Sequence, residues 1–382
     1  MKRCDLAIIN RSFWPKNKTI GESLLQLSEE TIRDGKSAIV ITQSTENLKK
    51  TTEQCGRGLG VTFKTCKARS NSSTRLFYRI FDELIFMFWV IWSLILTRPK
   101  NIYVSTDPPL VLPFVVYLYS KIFESSYTYH LQDIHPEATN IVVKLNSVLF
   151  NFLKKIDNIV IRNASNIVTI TQTTKEEIIS RSKTKSEIYL VDNPTATING
   201  ITQNKISGFV FSGNMGRLQR IPLILKSIDK YKEQGGVLPF LFIGGGVYSD
   251  EINALSNKYE DITYGGFVDA NIANDLTSRY EWALLPIDDE VTKYAFPSKT
   301  SSYVSCGVNI LSICSEQTCV AKWVVDNNYG INILPSIENI VDIFFRIENG
   351  LTINKKKVDK NYFSMKNFVH KIFNIIFKEK SF

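Results

Sequence analysis

The chain has 382 residues, a formal net charge of +9, 44% hydrophobic residues and 22% charged ones. This composition excludes a collagenous, coiled-coil or wholly disordered chain, and a mean hydropathy of −0.06 excludes a polytopic membrane protein. The length predicts about two to three domains, and the basic balance suits an anionic partner: nucleic acid, anionic lipid or a phosphorylated small molecule.

In chain order, the first apolar run, Leu6–Ile9, is too short for a secretory signal and predicts a strand. A polar loop follows over 10–20, then a helix over 21–34 with Leu24, Leu25, Leu27 and Ile32 at helical spacing and Gly35 as its stop. Continuous apolar, β-branched runs predict buried parallel strands at 37–42, 102–104, 127–131, 167–170 and 188–191. The polar, aperiodic stretch 192–200 reads as a linker. The pattern restarts with strands at 208–211, Phe240–Ile243, Ile262–Tyr264, 282–285 and Asn309–Ile313. Two doubly wound α/β halves are predicted, and ligands of such folds bind beyond the carboxyl ends of the strands. That rule selects the loops 10–20, 106–109, 133–137, 212–220, 244–246, 265–268 and 287–298.

Residues 84–96 are apolar all round. As a helix of 13 residues they reach about 20 Å, short of the roughly 30 Å bilayer core. Two readings stand: a buried core helix, or a helix docked into one leaflet. The second places Trp89 and Trp92 at the interface and Arg75, Arg79, Arg98 and Lys100 near lipid phosphates. The aromatic density favours docking.

The six cysteines are scattered and the three histidines, at 130, 135 and 370, lack metal spacing, so no zinc or redox motif is present and no metal is expected. The thiols read as reduced, as in a cytoplasmic protein. His130, in an apolar strand, reads as a core residue; His135, beside Asp133 at a strand end, reads as core or as a candidate for the active-site cleft. No nucleic-acid motif is present.

Two loops carry the chemistry. In the first, Gly213, Asn214 and Gly216 let backbone approach a ligand, and Arg217 and Arg220 precede a helix opening at Ile221 and Pro222. The arginines suit phosphate oxygens; the bland alternative is a tight turn with two solvated cations. In the second, Ser298 stands at a helix N-cap and Lys299 in the first turn. A cation there opposes the helix dipole, which makes sense if an anion sits beside it, unless it is a surface lysine tolerating a small penalty.

At these residues the sequence resembles a retaining glycosyltransferase of family 4, in the bacterial branch that builds colanic acid, capsule and O-antigen. The matching stretches are SGNMGR at 212–217, FIGGG at 242–246, YGGFV at 264–268, LLPI at 284–287 and FPSKTSSYVSCG at 296–307. In the first half they are STDPP at 105–109 and YHLQDIHPE at 129–137. The resemblance implies the GT-B fold: two Rossmann-like parallel-sheet domains facing across a cleft. An acceptor-binding domain would span 1–195, a donor-binding domain 196–360, and a final helix, 361–382, would return to the first domain.

It further implies a UDP- or GDP-sugar donor, with Arg217 and Lys299 holding the diphosphate and Phe267 and Val268 beside the base. Gly21, Gly213, Asn214, Gly216, Arg220, Gly244, Gly266, Tyr294, Pro297, Ser298 and Ser302 would complete the donor site. Asp133 would face the sugar, with His135 in the cleft. No cofactor or metal is implied. The acceptor would be a lipid-linked saccharide, and the enzyme would lie peripherally on the cytoplasmic face of the inner membrane, with the basic C-terminal tail on the same side as 84–96.

The departures are specific. Tyr294 and Ser302 stand where the family often has a pair of glutamates, Gln219 stands where it has a phosphate lysine, and only Gly21 remains of an N-terminal glycine pair. A non-catalytic nucleotide-sugar-binding subunit and a nucleotide-sugar 2-epimerase are the alternatives.

Overall fold

The computed structural model describes residues 3–69, 76–196, 198, 204–353, 358–359 and 361–378. Arg75, Lys355, Lys356, Lys357, Lys360, Glu379 and Lys380 lie outside these residues, as do positions 197, 199 and 200 of the linker. The chain forms two units, Met1–Pro194 with Met365–Phe382, and Thr195–Ser364.

The first unit alternates strand and helix. It runs β1 (Leu6–Ile9), α1 (Ile20–Arg33), β2 (Ala38–Ser44), α2 (Leu48–Gln54), β3 (Thr62–Lys67), α3 (Leu76–Thr97) and β4 (Asn101–Ser105). It continues with α4 (Val111–Phe123), β5 (Ser126–His130), α5 (Glu137–Val142), α6 (Ser147–Asn163), β6 (Asn166–Thr169), α7 (Gln172–Ser182) and β7 (Glu187–Leu190). The seven strands lie in the order β3-β2-β1-β4-β5-β6-β7, all parallel.

The second unit runs β8 (Ile206–Ser212), α8 (Ile221–Glu233), β9 (Phe240–Ile243), α9 (Ser249–Lys258), β10 (Ile262–Tyr264), α10 (Ala270–Ser278) and β11 (Tyr280–Pro286). Then come α11 (Asp289–Thr292), α12 (Lys299–Ser305), β12 (Asn309–Ile313), α13 (Cys319–Asp326), β13 (Gly330–Ile333) and α14 (Ile337–Glu348). Its six strands lie in the order β10-β9-β8-β11-β12-β13, again all parallel. The last helix, α15 (Met365–Phe377), belongs to the first unit and packs on α1.

Strand alternation sorts the helices of the first unit onto two faces. Leu6, Ile8, Val40 and Tyr103 share a core with α1 and with Phe368 and Ile372 of α15. On the other face the Tyr127 hydroxyl donates to Val160 O at 2.5 Å and the Tyr129 hydroxyl to Asp157 at 3.3 Å, both on α6. Gln43 reaches Asp82 of α3 at 2.9 Å, and Tyr119 of α4 donates to Leu94 O of α3 at 3.1 Å. Helices α3, α4 and α6 therefore cover the face opposite α1 and α15. The expectation that the C-terminal tail shares a side with 84–96 is corrected: Lys366, Lys371 and Lys378 sit on or just past α15, across the sheet from α3.

The apolar segment itself also needs correction. The helix has 22 residues, not 13, and reaches about 33 Å, so length does not exclude a span. Its fixation does. Asp82 is buried against Arg11 and Gln43, and Phe86, Val90 and Leu94 are fully buried beneath the helix. Trp89 is half-buried and donates its indole N–H to Lys64 O at 3.1 Å, so it faces the sheet edge and not an interface. Phe88 and Trp92 face outward.

Two strands lack a signal in the sequence, β3 (TFKTCK) and β13 (GINI). Both are edge strands. An edge strand has one neighbour and a partly wet face, so it needs no continuous apolar run.

Candidate functional site

Each sheet has one place where the strand order reverses, and ligands of open α/β sheets bind there. In the second unit the reversal lies between β8 and β11. The loops after these strands are bound to one another. Asp288 N–H donates to Leu218 O at 2.9 Å, and the Arg220 Nε–H donates to Ile287 O at 2.9 Å. Arg220 also pairs with Asp289 at 3.2 Å. It is thus engaged in joining the two loops, while the Arg217 side chain is exposed with no hydrogen bond or ion pair among the described residues.

The glycines leave room where the loops converge. Gly213 has φ +126° and Gly244 φ +122°, which side chains rarely adopt, and a Cβ on Gly244 would fall 2.1 Å from Gly213 O. Gly213 N–H donates to Ile243 O, Gly244 N–H to Gly266 O, and Met215 N–H to Gly245 O, so the ends of β8, β9 and β10 form one glycine-lined floor. Asn214 is exposed on it, Gly216 precedes a 3-10 turn at Arg217–Gln219, and the Gln219 Oε1 is buried without a partner among the described residues. Phe267 is 88% exposed at the rim, with Val268 half-buried next to it.

Lys299 points onto this floor. Its Nζ lies 3.9 Å from the centroid of the Phe211 ring, and the Gly213 Cβ position is 3.3 Å from it. The nitrogen is buried and has no hydrogen-bond partner among the described residues. Burial without a counter-ion pulls the ammonium down to about 7. Tyr303, one helical turn on, holds α12 in place: its hydroxyl accepts from Ser212 N–H at 2.9 Å and lies 3.2 Å from Ser212 O. The sequence reading missed Tyr303, although Lys299 and Tyr303 are four apart and share a helix face. Pro297 and Ser298 precede α12, Tyr294 follows α11, and the Ser302 hydroxyl meets that of Thr195 at 3.1 Å. No carboxylate occupies positions 294 or 302.

In the first unit the reversal lies between β1 and β4. Asn10 is buried there, accepts from the Ser105 hydroxyl and donates to Asp107 at 3.3 Å; Ser12 N–H donates to Asp107 at 2.8 Å. A Cβ on Gly21 would lie 2.6 Å from Trp14 N, so the space this glycine provides is filled by the chain's own 13–17 loop. That gives Gly21 a structural reason within the chain itself.

Asp133 lies just past β5, half-buried, with no hydrogen bond or ion pair among the described residues. Burial pushes its carboxyl up to about 6. The His135 Nδ1 is 2.8 Å from the Thr139 hydroxyl, and burial pulls the imidazole down to about 4. A buried ion cluster anchors this loop: Arg181 of α7 donates to His135 O at 2.9 Å and to Glu137 at 2.7 Å, and also binds Asp157. Lys154 closes on Glu137 at 2.9 Å. Arg181 was not legible locally, because its partners are 24 to 46 residues away. His130 is a core residue: its Nδ1 meets the Tyr103 hydroxyl, Phe368 lies 5.9 Å from its ring, and burial pulls it down to about 4. Among the described residues no group of three or more His, Cys, Asp or Glu side chains could hold a metal ion.

Two parallel-sheet α/β units of seven and six strands, with these glycine-lined strand ends, match the GT-B fold of glycosyltransferase structures. No family model matches the chain. The probable glycosyltransferase WbjE of Pseudomonas aeruginosa is 25% identical over 250 residues, covering 61% of this chain and 62% of that protein, so the match spans less than two thirds of the relative. HepE from Anabaena, solved in complex with UDP, superposes with a TM-score of 0.61 at 13% identity over 98% of this chain and 95% of its own. WaaG, a glycosyltransferase involved in lipopolysaccharide biosynthesis, superposes with a TM-score of 0.60 at 10% identity over 97% and 99%.

Proposed function

We propose that the protein is a glycosyltransferase of family 4 type, transferring a hexosyl or N-acetylhexosaminyl group with retention from a UDP- or GDP-sugar to a lipid-linked oligosaccharide. It would act in bacterial surface-polysaccharide assembly, of O-antigen or capsule, at the cytoplasmic face of the inner membrane. The observation that carries the reading is the buried, unpartnered Lys299 ammonium on a glycine-lined floor at the end of β8. A desolvated cation beside open backbone is complementary to a diphosphate.

In the reaction the bond from the sugar C1 to the β-phosphate oxygen breaks, and a bond from C1 to an acceptor hydroxyl forms on the same face. The acceptor proton passes to the departing phosphate. Lys299 and Arg217 neutralise the charge that grows on the leaving diphosphate, and a cation already in place lowers that barrier. Asp133 accepts hydrogen bonds from sugar hydroxyls. The similarity to WbjE and the fold shared with HepE and WaaG support this reading.

A panel of nucleotide sugars, assayed for nucleotide release with and without a lipid-linked acceptor, tests it, with NMR of the product's anomeric proton reporting retention. Absence of any nucleotide binding would overturn the reading. Binding without turnover would select the non-catalytic subunit, which the lack of a carboxylate at Tyr294 and Ser302 favours.

A further inference from the structure

Three neighbouring helices of the first unit expose apolar side chains on the face away from the sheet. On α3 these are Phe81, Leu84, Phe88, Trp92 and Ile95, spaced three and four apart, with Phe88 73% exposed. On α4, packed against α3, Leu118 and Ile122 continue the surface, Ile122 at 72%. On α6, packed against α4, Val148, Leu149 and Phe152 extend it, Val148 at 79%. A monomeric soluble protein rarely leaves so much contiguous apolar surface uncovered.

The charges around this surface have one sign. Arg79, Arg98, Lys121, Lys144, Lys155 and Arg162 are exposed in or beside these helices. The carboxylates of the same segments are otherwise engaged: Asp82 and Asp157 are buried, and Glu83 is paired with Arg11. Glu124 alone among the described residues there is an exposed acid. A second copy of the chain would bring cation against cation across a twofold axis. An anionic lipid surface meets both the apolar centre and the basic rim.

We propose that α3, α4 and α6 form one monotopic platform on which the first unit lies flat in the outer part of an anionic bilayer. Helix α3 does not cross the membrane, because Asp82, Phe86, Val90 and Leu94 tie its inner side to the sheet. The platform deepens the lipid-linked acceptor of the proposed function, yet the binding it describes needs neither donor nor acceptor. Failure of one reading is therefore distinguishable from failure of the other.

The experiment is co-sedimentation of the full chain with vesicles of phosphatidylglycerol and phosphatidylcholine, or of phosphatidylcholine alone. Wild type is expected to pellet with the anionic vesicles, with high salt releasing only part of it. Phe88→Glu, Ile122→Glu and Phe152→Glu are each expected to lower partitioning about tenfold, since each removes one apolar side chain from the buried contact. Leu59→Glu, 74% exposed beside α1 on the other face, should bind as wild type does. Lys121→Glu with Lys155→Glu keeps the apolar surface and should abolish the preference for anionic lipid. Matching circular-dichroism melts establish that the variants fold. Wild type left in the supernatant at low salt overturns the platform. So does loss in Phe88→Glu with wild-type binding in both Ile122→Glu and Phe152→Glu, which would leave α3 as the sole contact. A concentration-dependent dimer abolished by the same variants would assign the face to a second copy and overturn it as well.

Discussion

The reversal point of the second sheet and the carboxyl end of β5 in the first each hold a desolvated titratable group with no counter-ion among the described residues, but of opposite sign. Lys299 is stripped of water over Phe211, and its ammonium falls to about 7. Asp133 is half-buried and its carboxyl rises to about 6. Both groups cost folding free energy near neutral pH, since burial disfavours each charged form. Among the described residues the lysine has no anion beside it, and no donor reaches the aspartate. One region suits a diphosphate and the other the hydroxyls of a sugar. Two arginines near these groups are treated differently: Arg181 and Arg220 are closed into ion pairs, where they brace loops.

The largest effect expected is at Lys299. Lys299→Ala should lower kcat/KM by about ten- to a hundredfold, the worth of a lost hydrogen bond to a charged group. Lys299→Met should lose nucleotide affinity equally while melting higher than wild type at pH 7, because it removes a buried amine. Calorimetric titration with UDP and GDP, with thermal melts alongside, checks both, and wild-type affinity in either variant would break the contrast.

Asp133→Asn comes next. It should reduce turnover about tenfold, the loss of one charge-assisted hydrogen bond. The folded carboxyl holds its proton more tightly than the unfolded one, so its stability contribution is present below about pH 4 and lost as pH rises through about 6. Above pH 6 the asparagine variant should therefore be more stable than wild type, by about 1–3 kcal/mol. Denaturant melts at pH 4 and pH 7.5 measure this, and equal differences at the two pH values would show that burial of the charge is not the cause.

Lys299 carries the opposite dependence. Its folded pKa is depressed, so unliganded stability should rise as pH increases from about 7 towards the unfolded value. A bound diphosphate restores the proton. Nucleotide binding above pH 7 should thus take up close to one proton, read from binding heats in buffers of different ionisation enthalpy. No uptake would detach Lys299 from the diphosphate.

The two arginines of the 212–220 loop sharpen the comparison further. Arg217→Ala should lower turnover about tenfold at an unchanged melting temperature. Arg220→Ala should lower stability by about 1 kcal/mol through its lost carbonyl and Asp289 contacts. Reversal of these outcomes would exchange their roles. The smallest effect, none, is expected from EDTA on turnover; loss restored by manganese or magnesium would show a different source of positive charge.

Much of this was legible in the chain. The central strands appear as apolar runs because both their faces are buried, and the glycine loops appear because only glycine tolerates the backbone at 213 and 244. Lys299 was legible as a cation in a first helical turn. The edge strands β3 and β13 were not, since a half-wet strand has no continuous apolar signature. Nor were Arg181, Tyr303 and the engagement of Arg220, because each depends on partners distant in sequence or on the angle at which a loop closes.

Two parallel α/β sheets and the set of loops at the carboxyl ends of their central strands are written locally in the chain, because hydrophobic periodicity and turn chemistry are local; the order of the strands within each sheet is not. Which charges are spent and which are left over depends on tertiary packing. Arg217 and Arg220 are three residues apart, yet one is exposed and the other braces two loops. Phe86 and Phe88 are two apart in one helix, yet one is core and the other is surface. Burial and ion pairing are properties of what the rest of the chain brings alongside a residue, and a helix that is apolar all round carries no local sign of which side its neighbours will cover.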